Sequence, residues 1–116
     1  MDRLTAVPVQ EIDVDQLAER LAAGARLVDV REPVEYVEAH VPGAVLVPLG
    51  TVPEHVDAFT GGGTTYVICR SGARSMRACE HIAALGLDGA DVVNVAGGTL
   101  AWLASGRETV GGDQPS

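Results

Sequence analysis

The sequence of 116 residues is poor in aromatic and in basic residues. Aromatic residues make up 3% of the chain, so its core must be built from Val, Leu, Ile and Ala, which suits thin layers of helix packed on sheet. Eight Lys and Arg face 16 Asp and Glu, which gives a formal net charge of -8. Because binding to phosphate backbones requires clustered basic residues, we exclude nucleic acid as a partner.

Cysteine and long apolar runs are also scarce. Two cysteines do not make a disulfide framework, and no Cys-x2-Cys or His-x3-His spacing offers a metal site, so we expect neither a metal nor another cofactor. The apolar runs are far shorter than the ~18 to 20 residues that cross a bilayer, and the first residues do not form a secretion signal. We therefore predict a cytoplasmic protein that is not attached to a membrane.

The clearest helix signal follows Asp13. Asp13 is suited to cap the helix, Gln16 to complete a capping box, and Gly24 to end the helix in a left-handed conformation. The apolar positions of one helical stripe are Val14, Leu17, Ala18, Leu21 and Ala22.

Short apolar runs alternate with candidate helices along the rest of the chain. The predicted strands are 27–30, 45–47, 66–68 and 92–95, and the predicted helices begin near Pro33 or cover 53–59, 75–85 and 99–104. This alternation indicates parallel βαβ units and an α/β fold with both faces of the sheet covered. We predict one domain over residues 1–110 and a disordered tail at 111–116, which has no apolar anchor.

The segment with the strongest chemical signal follows the strand 66–68. Cys69 lies at the carboxyl end of this strand, where parallel α/β sheets bind ligands. A tight loop then leads to a helix that we expect to begin at Ser75. Such a turn aims successive backbone N–H groups inward and forms an anion-binding nest near the positive end of the helix dipole. The candidate substrate-binding residues of this loop are Arg70, Ser71, Gly72, Ala73, Arg74 and Ser75.

A catalytic role for Cys69 depends on its thiolate form, which is the nucleophile. The helix N-terminus, together with Arg70 and Arg74, is expected to favour this anion, and Ser71 and Ser75 offer hydroxyl donors. A lone cysteine at a strand end is usually a small buried apolar residue, but the surrounding loop favours catalysis here. Cys79 lies in the middle of the predicted helix and is expected to serve packing only.

At this point the sequence resembles the rhodanese family of sulfurtransferases over nearly its whole length. Two positions depart from the family pattern, Ala39 where a glycine is common and Leu46 where an asparagine is common, and both lie away from Cys69. The segments that carry the resemblance are Asp29-Val30-Arg31-Glu32 with Glu35-Tyr36, then His40-Val41-Pro42-Gly43-Ala44 with Pro48, then the loop from Cys69 to Ser75, and finally Gly97-Gly98 with Ala101-Trp102.

The resemblance implies a three-layer α/β domain with a central parallel sheet of about five short strands flanked by helices. It also implies that Cys69 carries a sulfane sulfur as a persulfide. The sulfur would come from thiosulfate or a similar small anionic donor, and the charged loop favours thiosulfate. The acceptor would be cyanide or a thiol, including that of a small redox protein or a sulfur-accepting protein.

Two alternatives remain open. A rhodanese-like carrier or interaction module, loaded with sulfur by a partner protein, would need the same loop as a free enzyme. A cysteine phosphatase also places Cys and Arg on a strand-loop-helix, but the phosphatases that share this fold have a longer loop than the four residues between Cys69 and Arg74. The shorter loop suits a persulfide sulfur better than a tetrahedral phosphate.

Outside the loop, Asp29 and Arg31 are candidates for a supporting role because Arg31 follows a strand on the side of the sheet that holds Cys69. A structural interpretation is stronger: Arg31 is expected to pair with Glu35 across a helical turn, and Asp29 to cap the helix that follows. His40 resembles a general base, but an ionised thiolate needs none, so we expect a structural role for it as well.

Overall fold

The computed structural model describes residues 8–116. Its core is a sheet of five parallel strands in the order β1-β5-β4-β2-β3. The predicted α/β class with a parallel sheet is thereby confirmed. In chain order the elements are β1 (Gln10–Ile12), α1 (Val14–Ala22), β2 (Arg26–Asp29), α2 (Pro33–Glu38), β3 (Val45–Leu46), two 3-10 helices (Leu49–Glu54 and Val56–Phe59), β4 (Thr64–Ile68), α3 (Ala73–Ala84), β5 (Asp91–Val95) and α4 (Gly98–Ala104).

Apolar cores cover both faces of the sheet and make three layers. On one face Leu17 of α1, Tyr36 of α2 and Trp102 of α4 pack against the strands. On the other face Phe59 and Ile82, from the second 3-10 helix and α3, do the same. Successive side chains of a strand point to opposite faces, so short apolar strands fill both cores at once.

Helix α1 forms as its sequence predicts. The Asp13 side chain accepts a hydrogen bond from the backbone N–H of Gln16, and the Gln16 side chain accepts one from Asp13. This capping box satisfies backbone donors that the first helical turn leaves without partners.

Three elements differ from their predictions. Strand β1 was not predicted, because its Gln10–Ile12 segment lies at the sheet edge and shows little apolar character. The single helix predicted for 53–59 is wrong: Pro53 and the break at His55 leave two 3-10 helices instead. Helix α3 begins at Ala73 and not at Ser75, which shortens the loop after Cys69.

The segment 111–116 makes polar contacts with the rest of the domain. The Gly112 N–H donates to the Val37 carbonyl at 2.8 Å, and the Pro115 carbonyl lies 3.2 Å from Nε2 of His40. These contacts involve mainly backbone atoms, which explains why the side-chain pattern did not reveal them. The domain boundary at residue 110 and the disorder of segment 111–116 both stay predictions.

None of the helices within residues 8–116 has the length and apolar character that a membrane crossing requires. The cytoplasmic location stays a prediction.

Candidate active site

The candidate site is the turn between β4 and α3. Cys69 follows the last residue of β4, and only Arg70, Ser71 and Gly72 separate it from the first residue of α3. Gly72 caps the helix with φ 111°, in the left-handed region that favours glycine. The turn is therefore tighter than predicted and directs its backbone N–H groups toward Cys69.

Hydrogen-bond donors of the turn surround the Cys69 sulfur. The Gly72 N–H lies 3.1 Å from Sγ, and the Ser75 hydroxyl lies 3.3 Å from it. Burial raises the pKa of the Cys69 thiol, but hydrogen bonds from the Ser75 hydroxyl and from the backbone of Ser75, Gly72 and Ser71 bring the pKa below its usual value. Sγ is thus held in a nest of donors that favours a sulfur anion.

The two loop arginines occupy different environments. Arg74 donates to both carboxylate oxygens of Glu35, at 2.7 and 2.9 Å. This pairing lowers the pKa of Glu35 to about 2 and raises that of Arg74. The side chain of Arg70 is exposed. The main contributions that lower the Cys69 pKa are hydrogen bonds, and the effect expected of the arginine charges stays a prediction.

The first residues of α4 donate hydrogen bonds to the backbone of the turn. The Cys69 carbonyl accepts hydrogen bonds from the N–H and the hydroxyl of Thr99, at 2.9 and 3.0 Å, and the Leu100 N–H donates to the Arg70 carbonyl at 3.0 Å. A Cβ on Gly98 would lie 2.5 to 2.7 Å from the carbonyl atoms of Cys69 and Arg70. Only glycine permits this close approach, which explains the glycine at position 98.

Asp29 and Arg31 form a buried ion pair next to the site. The Arg31 guanidinium donates to both carboxylate oxygens of Asp29 at 2.9 to 3.0 Å, and a further donor reaches the Ala39 carbonyl at 2.8 Å. The predicted pairing of Arg31 with Glu35 is wrong, and so is the predicted cap, since Glu32 caps α2. Asp29 is fully buried, and a buried carboxylate requires a charged partner nearby.

Asn94 is a polar residue of the site that the sequence analysis did not single out. Its side chain is fully buried on β5. Nδ2 donates to Oε2 of Glu11 at 2.7 Å and to the Gly72 carbonyl at 3.2 Å. The signal in the sequence was a single amide within the otherwise apolar run 92–95.

An open cleft of about 330 Å³ adjoins the turn between α2 and α4. Thr99, which bonds the Cys69 carbonyl, is part of its wall. The exposed Arg70 side chain and the buried Arg31 supply its positive charge. The lining residues are Arg31, Glu35, Glu38, Ala39, Arg70, Thr99, Leu100 and Leu103.

His40 and Cys79 have structural contacts. His40 is fully buried, its ring stacks on Tyr36 with centroids 3.6 Å apart, and its Nδ1 lies 2.8 Å from the Tyr36 carbonyl. Cys79 is also fully buried, within the core beneath α3, and burial raises the pKa of its thiol to about 12. Both environments agree with the packing roles expected from the sequence.

Comparison with known proteins identifies the family. The model of the rhodanese-like domain family matches residues 13–105, and the chain belongs to this family. A sulfurtransferase of Allochromatium vinosum is 35% identical over 104 residues, which cover 88% of this chain and 95% of the relative.

Solved structures show the same fold. A rhodanese-related protein from Thermoplasma volcanium matches with a TM-score of 0.78 and 30% identity over 87% of this chain and 97% of its own. A thiosulfate sulfurtransferase from Pseudomonas aeruginosa matches with a TM-score of 0.80 and 27% identity. This match covers 95% of the present chain but only 21% of the Pseudomonas protein. The three-layer rhodanese fold predicted from the sequence is confirmed.

Proposed function

We propose that this protein transfers sulfane sulfur through a persulfide on Cys69, taking it from thiosulfate or a similar anionic donor and passing it to cyanide or a thiol. Family membership supports rhodanese-type sulfur transfer as the general class of activity. The observation that carries the proposal is the convergence of the Gly72 N–H and the Ser75 hydroxyl on Sγ. Both the attacking thiolate and the resulting persulfide are sulfur anions that such donors stabilise.

The first step is attack of the Cys69 thiolate on the outer sulfur of thiosulfate. A bond forms between Sγ and that sulfur, the S–S bond of thiosulfate breaks, and its electron pair leaves with sulfite. Cys69 then carries a terminal sulfur with one negative charge. Sulfite is a stable anion, so its departure needs no general acid. This agrees with the contacts of His40, whose two ring nitrogens lie against backbone carbonyls.

The second step returns the enzyme to its starting state. Cyanide or a thiolate attacks the terminal sulfur of the persulfide, and the electron pair of the broken S–S bond returns to Sγ. The products are thiocyanate, or a persulfide on the acceptor, and the Cys69 thiolate. The whole cycle needs no external oxidant or reductant.

We propose that the donor binds at the exposed turn, beside the cleft that Arg70 lines. Arg70 is the exposed cation at the cleft, so it is placed to attract an anionic donor. The residue Cys69 is only 1% exposed, so the donor must reach Sγ with a narrow terminal atom. The outer sulfur of thiosulfate meets this requirement. The name of the Pseudomonas aeruginosa relative supports the same donor.

A phosphatase activity is disfavoured by the position of Arg74. An arginine that closes a phosphate-binding loop must turn its guanidinium toward the ligand, but Arg74 uses both arms of its guanidinium on Glu35. The short turn adds to this argument, because few N–H groups remain to surround a tetrahedral anion.

The test is incubation with thiosulfate followed by intact-mass measurement and by assay of thiocyanate after addition of cyanide. We expect a mass gain of one sulfur atom and thiocyanate production. Both signals must disappear in Cys69→Ser and persist in Cys79→Ala, a matched control at the other cysteine. Turnover of a phosphate ester without any sulfur transfer would overturn the proposal.

The same assay separates a free enzyme from a carrier module. A carrier would gain sulfur from a persulfide-bearing protein donor but not from thiosulfate. In that case the proposed donor is wrong, while the role of Cys69 is retained. The acceptor protein is identified by repeating the assay with a reduced small redox protein in place of cyanide.

A further inference from the structure

The Ser75 hydroxyl has one proton and two acceptors within reach. Its oxygen lies 3.3 Å from Cys69 Sγ and 3.3 Å from the Gly72 carbonyl. A serine hydroxyl donates a single hydrogen bond. When its proton points to the carbonyl, the sulfur loses one of its donors, so the direction of this proton decides how well the sulfur anion is stabilised.

The Gly72 carbonyl already has two other donors. The Met76 N–H reaches it at 3.2 Å within the first turn of α3, and Nδ2 of Asn94 reaches it at 3.2 Å from β5. A carbonyl oxygen has two lone pairs, so these two donors fill its capacity. The hydroxyl of Ser75 is then left with the sulfur as its better acceptor.

We propose that Asn94 is a positioning residue that occupies the Gly72 carbonyl and thereby directs the Ser75 hydroxyl proton to the sulfur of Cys69. The proposal rests on the proposed function, in which this sulfur is the nucleophile. Asn94 does not touch the sulfur and acts only through Gly72 and Ser75.

The orientation of the Asn94 amide is fixed by its surroundings. Nδ2 lies between two acceptors, the Glu11 carboxylate at 2.7 Å and the Gly72 carbonyl. Turning the amide over would set its own oxygen against both of them. Oδ1 is buried and has no hydrogen-bond partner among residues 8–116. The amide is thus committed to donating, and Glu11 holds it in that orientation.

Within residues 8–116, few ionisable groups face the sulfur from the surrounding elements. Arg74 of α3 interacts with the charge of Cys69 and is itself held by Glu35 of α2. Cys79 of α3 lies in the same core, and Glu11 approaches from β1 through Asn94. Variants that keep these charges constant therefore report on the hydrogen bonds alone.

The experiment measures the pKa of the Cys69 thiol from the pH dependence of its alkylation by iodoacetamide. All variants carry Cys79→Ala, so that one thiol reacts. We expect Asn94→Leu, which is close to Asn in size, to raise the pKa by about one unit and so lower the thiolate fraction up to about tenfold. We expect Ser75→Ala to raise it similarly, and the double variant to be no higher than Ser75→Ala alone.

An unchanged pKa in Asn94→Leu overturns the proposal, and so do effects that add in the double variant. Thr65→Val is the matched control, because it removes a buried hydroxyl that accepts from Arg26 in the same sheet and does not contact the turn. We expect no change of pKa in Thr65→Val. If Thr65→Val raised the Cys69 pKa as much as Asn94→Leu does, Asn94 would act only through the stability of the fold. That result would also overturn the proposal.

A second variant decides the matter if Asn94→Leu does not fold. Glu11→Asp keeps the negative charge but withdraws the carboxylate from Nδ2, and Glu11 is exposed. We expect a smaller rise of the Cys69 pKa, absent when Ser75→Ala is also present. An unchanged pKa in Glu11→Asp counts against the proposal.

The two proposals fail separately. Alkylation needs no sulfur donor, so it measures the coupling of Asn94 and Ser75 even in a protein that forms no persulfide. Persulfide formation without this coupling overturns the present inference only, whereas coupling without persulfide formation overturns the proposed function only.

Discussion

Cys69 and Cys79 have similar exposure, but their thiol pKa values are shifted in opposite directions. They are 1% and 0% exposed and pack in the same apolar cluster on one face of the sheet. Burial raises the pKa of Cys79 to about 12, yet the pKa of Cys69 lies below its usual value. The difference follows from position: Cys69 lies in a turn whose N–H groups point inward, whereas Cys79 lies within a helix.

This comparison shows that donors can outweigh desolvation at a buried thiol. Desolvation is the largest single effect on the pKa of either cysteine. Within α3 the backbone N–H groups are already bonded to preceding carbonyls, so they are not available to Cys79. By contrast, the Gly72 N–H in the turn and the Ser75 hydroxyl in the first turn of α3 donate to Sγ of Cys69.

The largest expected effect is a difference in alkylation between the two cysteines. At neutral pH, iodoacetamide should modify Cys69 in the native protein, while Cys79 should react more slowly by on the order of a thousandfold. Mass spectrometry of peptides measures both sites, and unfolding in urea should make them equally reactive. Comparable native rates would refute the contrast.

A substitution in α4, which packs against the turn, should reduce the difference between the two cysteines by lowering the reactivity of Cys69. Gly98→Ala places a Cβ 2.5 to 2.7 Å from carbonyl atoms of Cys69 and Arg70, so we expect a loss of about 2 to 4 kcal/mol of unfolding free energy. Urea denaturation measures it, and the alkylation rate of Cys69 should fall as well.

Gly106→Ala is the matched control for this prediction. Both glycines have a positive φ, 58° at Gly98 and 79° at Gly106, but a Cβ at Gly106 would meet nothing within 4 Å. Gly106→Ala should lower the free energy of unfolding only by the backbone strain, about 1 kcal/mol, and Cys69 should stay reactive. Equal losses in both variants would mean that close approach to the turn is unimportant.

A smaller effect is expected when the Ser75 hydroxyl, a donor to Cys69 Sγ, is removed. Ser75→Ala should raise the pKa of Cys69 by about one unit, so the pH profile of sulfur transfer should move to higher pH. Ser71→Ala should change it little, because Ser71 acts through its backbone. Stopped-flow measurement of persulfide formation against pH tests both variants. A larger pKa shift in Ser71→Ala than in Ser75→Ala would contradict the role of the Ser75 hydroxyl as donor.

The smallest effect concerns the ion pair beside the turn. The folded pKa of Glu35 is about 2 against an ordinary 4.5, so its stabilising contribution is complete above about pH 4.5 and is lost as the pH falls toward 2. Glu35→Gln should remove about 1 kcal/mol at neutral pH after allowance for solvent screening, and less in acid. Glu38→Gln on the same helix should have little effect, and urea denaturation at several pH values compares the two.

Much of the fold could be predicted because it depends on local patterns. The apolar stripe and capping box of α1, and the short apolar strands before and after Cys69, are properties of neighbouring residues. Strand β1 escaped prediction because it forms by pairing with β5, which is distant in the chain. The predicted start of α3 lies two residues after the observed one. The left-handed conformation of Gly72, which caps the helix, determines where the helix begins.

The turn that forms the candidate site could also be predicted, but its contacts could not. Cys69, Gly72 and Ser75 lie in one short segment, so their spacing indicated a nest of donors. The partners that complete it come from other elements: Glu35 holds Arg74, and Asn94 bonds the Gly72 carbonyl. Sequence spacing does not show which charges meet in space, and for that reason Arg31 was paired with the wrong acid.

The support of the turn by α4 has a consequence for the newly made chain. The donors that hold the carbonyls of Cys69 and Arg70 belong to Thr99 and Leu100, which are synthesised about 30 residues later. A nascent chain that ends before them lacks these donors to the turn. We therefore expect Cys69 to reach its native environment only after Leu100 has been synthesised.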